Sequence, residues 1–280
     1  MSGFFYGYSS AVIVSALVIL MLLALEVGFR SGCRRQASKA EVVTQANAVL
    51  TSMLGLLALL LAFTFSAALQ RYEDRSLTVV AEANAIGTTY LRARLLPGSM
   101  PGEVQALLRK YLDIRVQEGL VDAMEPKLHE SLLQQTQQVH AELWSHAERA
   151  AAVDKSVVTS GLFIQSLNDL IDTSVTRNAA LNRQVPEVVL LLMLATVVLT
   201  TGTLGYASGV AGHRVTLAAF VMVTLIALVA YLIMDLDRPR RGAIQVSHES
   251  MLSLQQAMGT AQGGPAGRGS SPDMSQAPRR

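Results

Sequence analysis

Few residues in this sequence have types and spacings that could do chemistry. Its histidines (His129, His140, His146, His213 and His248) include no pair at metal-ligand spacing; His140 and His146 are six apart and fall on different faces of a helix. A Gly-rich loop with Lys-Ser/Thr, a nucleophile elbow and paired cysteines are all absent from the sequence. No catalytic residue, cofactor or metal site is therefore expected, and Cys33, alone, cannot form an internal disulfide. The chemistry on offer is that of a conduit. Leu56, Leu59, Phe63, Ser66 and Gln70 are spaced 3, 4, 3 and 4 apart, so they share one helix face that is apolar at depth and polar toward its end. Repeated around a symmetric oligomer, this stripe would form a hydrophobic constriction opening into a polar vestibule. By periodicity alone the simpler reading is an ordinary helix–helix seam. A second set comprises Thr200, Thr201, Gly202, Thr203, Gly205, Tyr206 and Gly209; Gly205 and Gly209 have the spacing that lets helices approach closely. Helix packing is the expected role there, with a polar conduction wall as the alternative. Glu26 and Arg30, four apart, are expected to pair. Asp235 and Asp237 could gather cations, but Arg238, Arg240 and Arg241 follow at once and are expected to neutralise them.

These residues need elements to hold them, and composition says which. Hydrophobic residues make up 51% and charged residues 16%, against about 25% charged in soluble proteins. A net charge of +2 gives no reason to expect nucleic acid as a partner. A bilayer core of about 30 Å needs roughly 20 apolar helical residues, and four stretches meet that length. They are the uncharged run up to Glu26 (Ala11 to Leu25 nearly all aliphatic), Val42 to Gln70, Val188 to Gly212 entered through Pro186, and Val215 to Met234. The lipid bilayer is thus the first partner. A short basic loop with Arg30, Arg34, Arg35 and Lys39 joins the first pair, and a tight turn at Gly209, Gly212 and His213 joins the second. Between the pairs, apolar residues recur at helical spacing, as in Leu128, Leu132, Val139, Leu143 and Ala147. Pro97-Gly98, Pro101 and the Gly119 to Pro126 stretch read as breaks among about four helices, with no strand. No break separates the second span from Tyr72 to Leu95, which predicts one long helix leaving the membrane. The expected class is an all-α integral membrane protein: residues 1–70 a first transmembrane pair, 71–185 a helical extramembrane domain, 186–237 a second pair, and 238–280 a tail mostly disordered after 258. Cationic residues near the spans number five on one side and seven on the other, so charge balance leaves orientation open.

Several of these residues carry a resemblance. The run from Leu56 to Ser66, then Gln70-Arg71-Tyr72-Glu73-Asp74-Arg75, then Glu82-Ala83-Asn84-Ala85-Ile86-Gly87 closely resembles the bacterial bestrophin-like family, a domain of unknown function. Leu236-Asp237-Arg238-Pro239, with Gly242, Ile244, Val246 and Ser247, is a second match. More distantly, Ala62-Phe63 followed by Arg71-Tyr72 is similar in spacing to the second helix of the bestrophin anion channels. That resemblance implies a homo-oligomer, a pentamer in the bestrophin pattern, passing small anions through a neck at Leu59 and Phe63. It also implies a bacterial inner membrane location with the helical domain and both termini in the cytoplasm. Thr64 and Phe65 stand where bacterial bestrophins usually have polar or basic residues, Glu73 replaces a second aromatic, and the tail has no acidic calcium clasp. The alternative from another class is a non-conducting membrane scaffold or sensor whose helical domain binds a partner protein.

Overall fold

The computed structural model describes residues 10–34, 40–120, 125–213, 217–238 and 244–260. Among these residues the chain forms eight α-helices and no strand. They are α1 (Ser10–Arg34), α2 (Ala40–Arg92), α3 (Met100–Leu120), α4 (Pro126–Val153), α5 (Leu162–Asn182), α6 (Glu187–Val210), α7 (Leu217–Leu236) and α8 (Glu249–Thr260). Apolar stretches in α1, α2, α6 and α7 are long enough to cross a bilayer, and the protein is an integral membrane protein built on them.

The 53 residues of α2 contain no proline and only two isolated glycines, so nothing interrupts its hydrogen-bond ladder. At 1.5 Å per residue it is about 80 Å long, and only part of that length can lie in a hydrocarbon core of about 30 Å. The helix ends in a single 3-10 turn, Ala93–Leu95, just before Pro97. Helix α1 is longer than its apolar run predicts. It carries Arg30 and Arg34 on its last turns, so these two are helical rather than part of a loop; Arg35 and Lys39 lie outside the described residues. The Arg30 guanidinium donates to Glu26 at 2.6 Å, the i,i+4 pair expected from spacing. Pro101 sits in the first turn of α3, where its missing N–H is harmless, and therefore makes no break.

The chain divides into two compact units. The first holds α1, α2 as far as Thr78, the end of α5 from Val175, α6, α7 and the segment to Ser247. Its core includes Leu17, Met21, Leu57, Met193, Val197, Ala230 and Ile233. The second holds the rest of α2, α3, α4, most of α5, and α8. Its interior includes Ile86, Leu108, Leu112, Val139, Leu143, Phe163 and Leu167, all buried. On α4, Leu132, Val139, Leu143 and Ala147 are buried as the periodicity predicts, whereas Leu128, in the first turn after Pro126, is exposed. A break without a Gly or Pro before it separates α4 from α5. There the Asp154 carboxylate accepts the Ser156 amide at 2.9 Å and the Thr159 hydroxyl, turning the chain into a π-helical turn, Val157–Gly161. Helix α8 runs through Met258 to Thr260; the disorder expected of the remaining tail falls outside the described residues.

Candidate functional site

Helix α2 has two unlike faces within the first unit. Leu57, Thr64 and Ala68 are buried, and Leu61 and Phe65 pack against the same core. Thr64 satisfies its hydroxyl locally, donating to the Leu60 carbonyl at 2.7 Å, with the Met193 sulfur 3.7 Å away. On the opposite edge Leu56 is 55% exposed, Leu59 53% and Phe63 66%, and Ser66 and Gln70 are exposed below them. Among the described residues, no helix covers this stripe. Small residues flank it: Thr51, Gly55, Ala58 and Ala62 are exposed too, and a Cβ placed on Gly55 would meet nothing within 4 Å.

Gly205 and Gly209 sit at a different contact, between α1 and α6. A Cβ on Gly205 would fall onto the Leu25 carbonyl oxygen, and one on Gly209 onto that of Phe29. Gly28 and Gly32, on α1, meet α6 in the same way, against the carbonyls of Gly202 and Tyr206. Their four-residue spacing is a signal in plain view that the reading of α6 alone leaves unused. Thr200 and Thr201 of α6 are buried, and the Thr201 hydroxyl donates to the Val197 carbonyl at 2.8 Å.

The motif after the stripe is a joint. Arg75 is buried, and its guanidinium donates to Ala180 O at 3.4 Å, Leu236 O at 3.0 Å, Arg183 O at 2.8 Å and Asp237 O at 3.2 Å. These carbonyls lie at or just beyond the C-termini of α5 and α7, where helices leave acceptors unmatched and the dipole is negative. The Asp237 carboxylate accepts the Val185 amide at 3.0 Å, and Asp235 accepts the Ile244 amide at 3.0 Å. Both aspartates thus bond backbone amides on neighbouring segments, work that an expectation of neutralisation by nearby arginines misses; Arg240 and Arg241 lie outside the described residues.

The second unit has a polar centre. Glu82 of α2 accepts the Tyr111 hydroxyl at 2.5 Å, Arg115 Nε at 2.7 Å and Arg115 Nη2 at 3.1 Å; a further nitrogen of Arg115 donates to Glu118. The side chains of Glu82 and Arg115 are 0% exposed. Burial opposes the charge on Arg115, but Glu82 and Glu118 outweigh it and hold the guanidinium protonated. Burial, reinforced by Glu82, pushes the Tyr111 phenol well up, so it serves as a neutral donor. Residue type and spacing alone mark none of these four for chemistry. Val104, Leu108, Tyr111, Arg115 and Glu118 nevertheless follow a 4, 3, 4, 3 spacing, which places the ionic pair on the buried face of α3.

Comparison with known proteins names the architecture. The family pattern described as a bestrophin-like domain matches residues 13–251. Among solved structures, a tryptophan-to-alanine variant of a bacterial bestrophin homolog from Klebsiella pneumoniae is 16% identical, with a TM-score of 0.69 over 91% of this chain and 99% of that one. An aspartate-to-alanine variant under the same description, also 16% identical, gives 0.66 over 89% and 97%. No curated protein sequence matches. At that identity the solved structures speak for the fold, while the family pattern spans most of the sequence. This all-α membrane chain belongs to the bestrophin-like family.

Proposed function

We propose that the protein is an oligomeric ion channel for small anions, with a neck made by Leu56, Leu59 and Phe63 of α2 and a vestibule lined by Ser66 and Gln70. The observation that carries this is the uncovered stripe: three large apolar side chains stand more than half exposed on the same helix whose other face is buried. An apolar face alone would suit lipid. Here it is flanked by Thr51, Gly55, Ala58 and Ala62, and small residues in membrane helices favour close approach of another helix over contact with acyl chains. Another copy of α2 is the natural neighbour, in a ring about a central axis; the bestrophin pattern makes that ring a pentamer. In this reading residues 1–70 and 186–237 form the membrane part, residues 71–185 form the domain outside it, and domain and termini face the cytoplasm across the inner membrane. Hydrophobic necks gate by dewetting, so Phe63→Ala raises conductance in purified protein reconstituted into bilayers. Silence from both wild type and variant would refute conduction.

One observation favours a scaffold. Val153, Val157 and Val158 are all strongly exposed around the turn that joins α4 to α5, an apolar tip that a partner protein could cover. A monomer or dimer in detergent, with no current, would move the reading there.

A further inference from the structure

We infer that His140 makes the second unit acid-sensitive: a proton taken up by its imidazole loosens α4 from α3. The ring stacks on that of Tyr111, centroids 5.1 Å apart and planes tilted by 33°. Its Nε2 is buried and has no hydrogen-bond partner among the described residues, and neither does the buried Oγ1 of Thr136, one turn earlier on α4. The charged groups facing it are Arg115 from α3 and Glu82 from α2. Glu118 lies across Arg115, with His129 Nδ1 3.6 Å from its carboxylate. From α5 comes the neutral Ser174 hydroxyl, which donates to the Ile171 carbonyl at 2.8 Å.

A neutral imidazole needs one donor and one acceptor satisfied; an imidazolium carries two donors and a charge. The carboxylate that faces it, Glu82, is already engaged by Tyr111 and by two nitrogens of Arg115, so its pull on a new cation is largely spent on them. Burial, then Arg115, hold the His140 pKa below its ordinary value. An unfolded histidine titrates near pH ~6.5, so the unfolded chain binds this proton more tightly than the folded one. Stability from this site is therefore complete above that pH and declines as pH falls below it. His146, on the same helix, is lowered in the same direction by burial and Arg149, with Glu103 and Glu142 opposing.

Deuterium exchange at the imidazole C2–H, followed by mass spectrometry on the full-length protein in detergent, reads each histidine separately. His140 is expected to titrate below the ordinary histidine value of about 6.5. In thermal unfolding followed by Trp144, which is also on α4, acidification from about pH 7.5 to about pH 5.5 should lower the midpoint of wild type more than that of His140→Gln. A His140 titration at or above about 6.5, or the same pH profile in the variant and wild type, overturns the inference. The exchange measurement needs no variant, so it decides the matter even if His140→Gln fails to fold.

Discussion

Replacing Glu82 by glutamine tests what holds the second unit together. The carboxylate receives three bonds, from Tyr111 at 2.5 Å and Arg115 at 2.7 and 3.1 Å, and neither Glu82 nor Arg115 has side-chain surface in contact with solvent. Leaving a buried charge with no partner costs about 3–5 kcal/mol. Arg115 keeps Glu118, so the expected loss is at the low end or beneath it, about 2–3 kcal/mol. For a chain of this size each kcal/mol moves a thermal midpoint by roughly 2–4 °C, giving a fall of about 4–12 °C. Trp144, the sole tryptophan, lies on α4 of the same unit, so its fluorescence during heating of the detergent-solubilised protein is a local readout. The reasoning makes a second demand. Removing the whole set together (Glu82→Met, Tyr111→Phe, Arg115→Met, Glu118→Met) takes away every stranded charge, and stability should return to within about 1–2 kcal/mol of wild type. A Glu82→Gln midpoint unchanged within about 2 °C, or a fourfold variant less stable than the single one, would refute this account.

Three further outcomes follow from the geometry. Gly28→Val forces a branched side chain onto the Gly202 carbonyl and should destabilise by about 1–3 kcal/mol, seen as a lower thermal midpoint and lower yield of extracted protein. Arg75→Lys keeps the charge but loses the fork that reaches four carbonyls; a loss of about 2–4 kcal/mol is expected, and a variant as heat-stable as wild type would contradict it. Phe63→Ala should increase current without lowering the thermal midpoint, because that side chain is 66% exposed.

Much of the membrane architecture is legible because lipid leaves the sequence little choice. Long apolar runs and the absence of breakers suffice to find α1, α2, α6 and α7 and to foresee that α2 continues past Gln70. The stripe on α2 is legible as periodicity, but periodicity does not tell a covered face from an open one; the exposure of Phe63 beside the burial of Thr64 does. Arg75, Glu82 and Asp237 are visible as parts of long motifs, yet their work depends on partners 29 to 162 residues away, such as Tyr111 and the Asp237 carbonyl, which no local spacing reveals. The α4–α5 break hides for the opposite reason. It is made by side-chain hydrogen bonds of Asp154 and Ser156, residues that are also common on helix surfaces.

The glycine contact between α1 and α6 dictates an order of events during synthesis. Gly28 leaves the ribosome 174 residues before Gly202, the backbone it must touch. At translation speeds of about 5–20 residues per second, the first helix waits roughly 10–35 s with its notch unfilled. Through that interval it is a nascent chain with an open groove, vulnerable to the wrong neighbour, and only insertion of the sixth helix closes it.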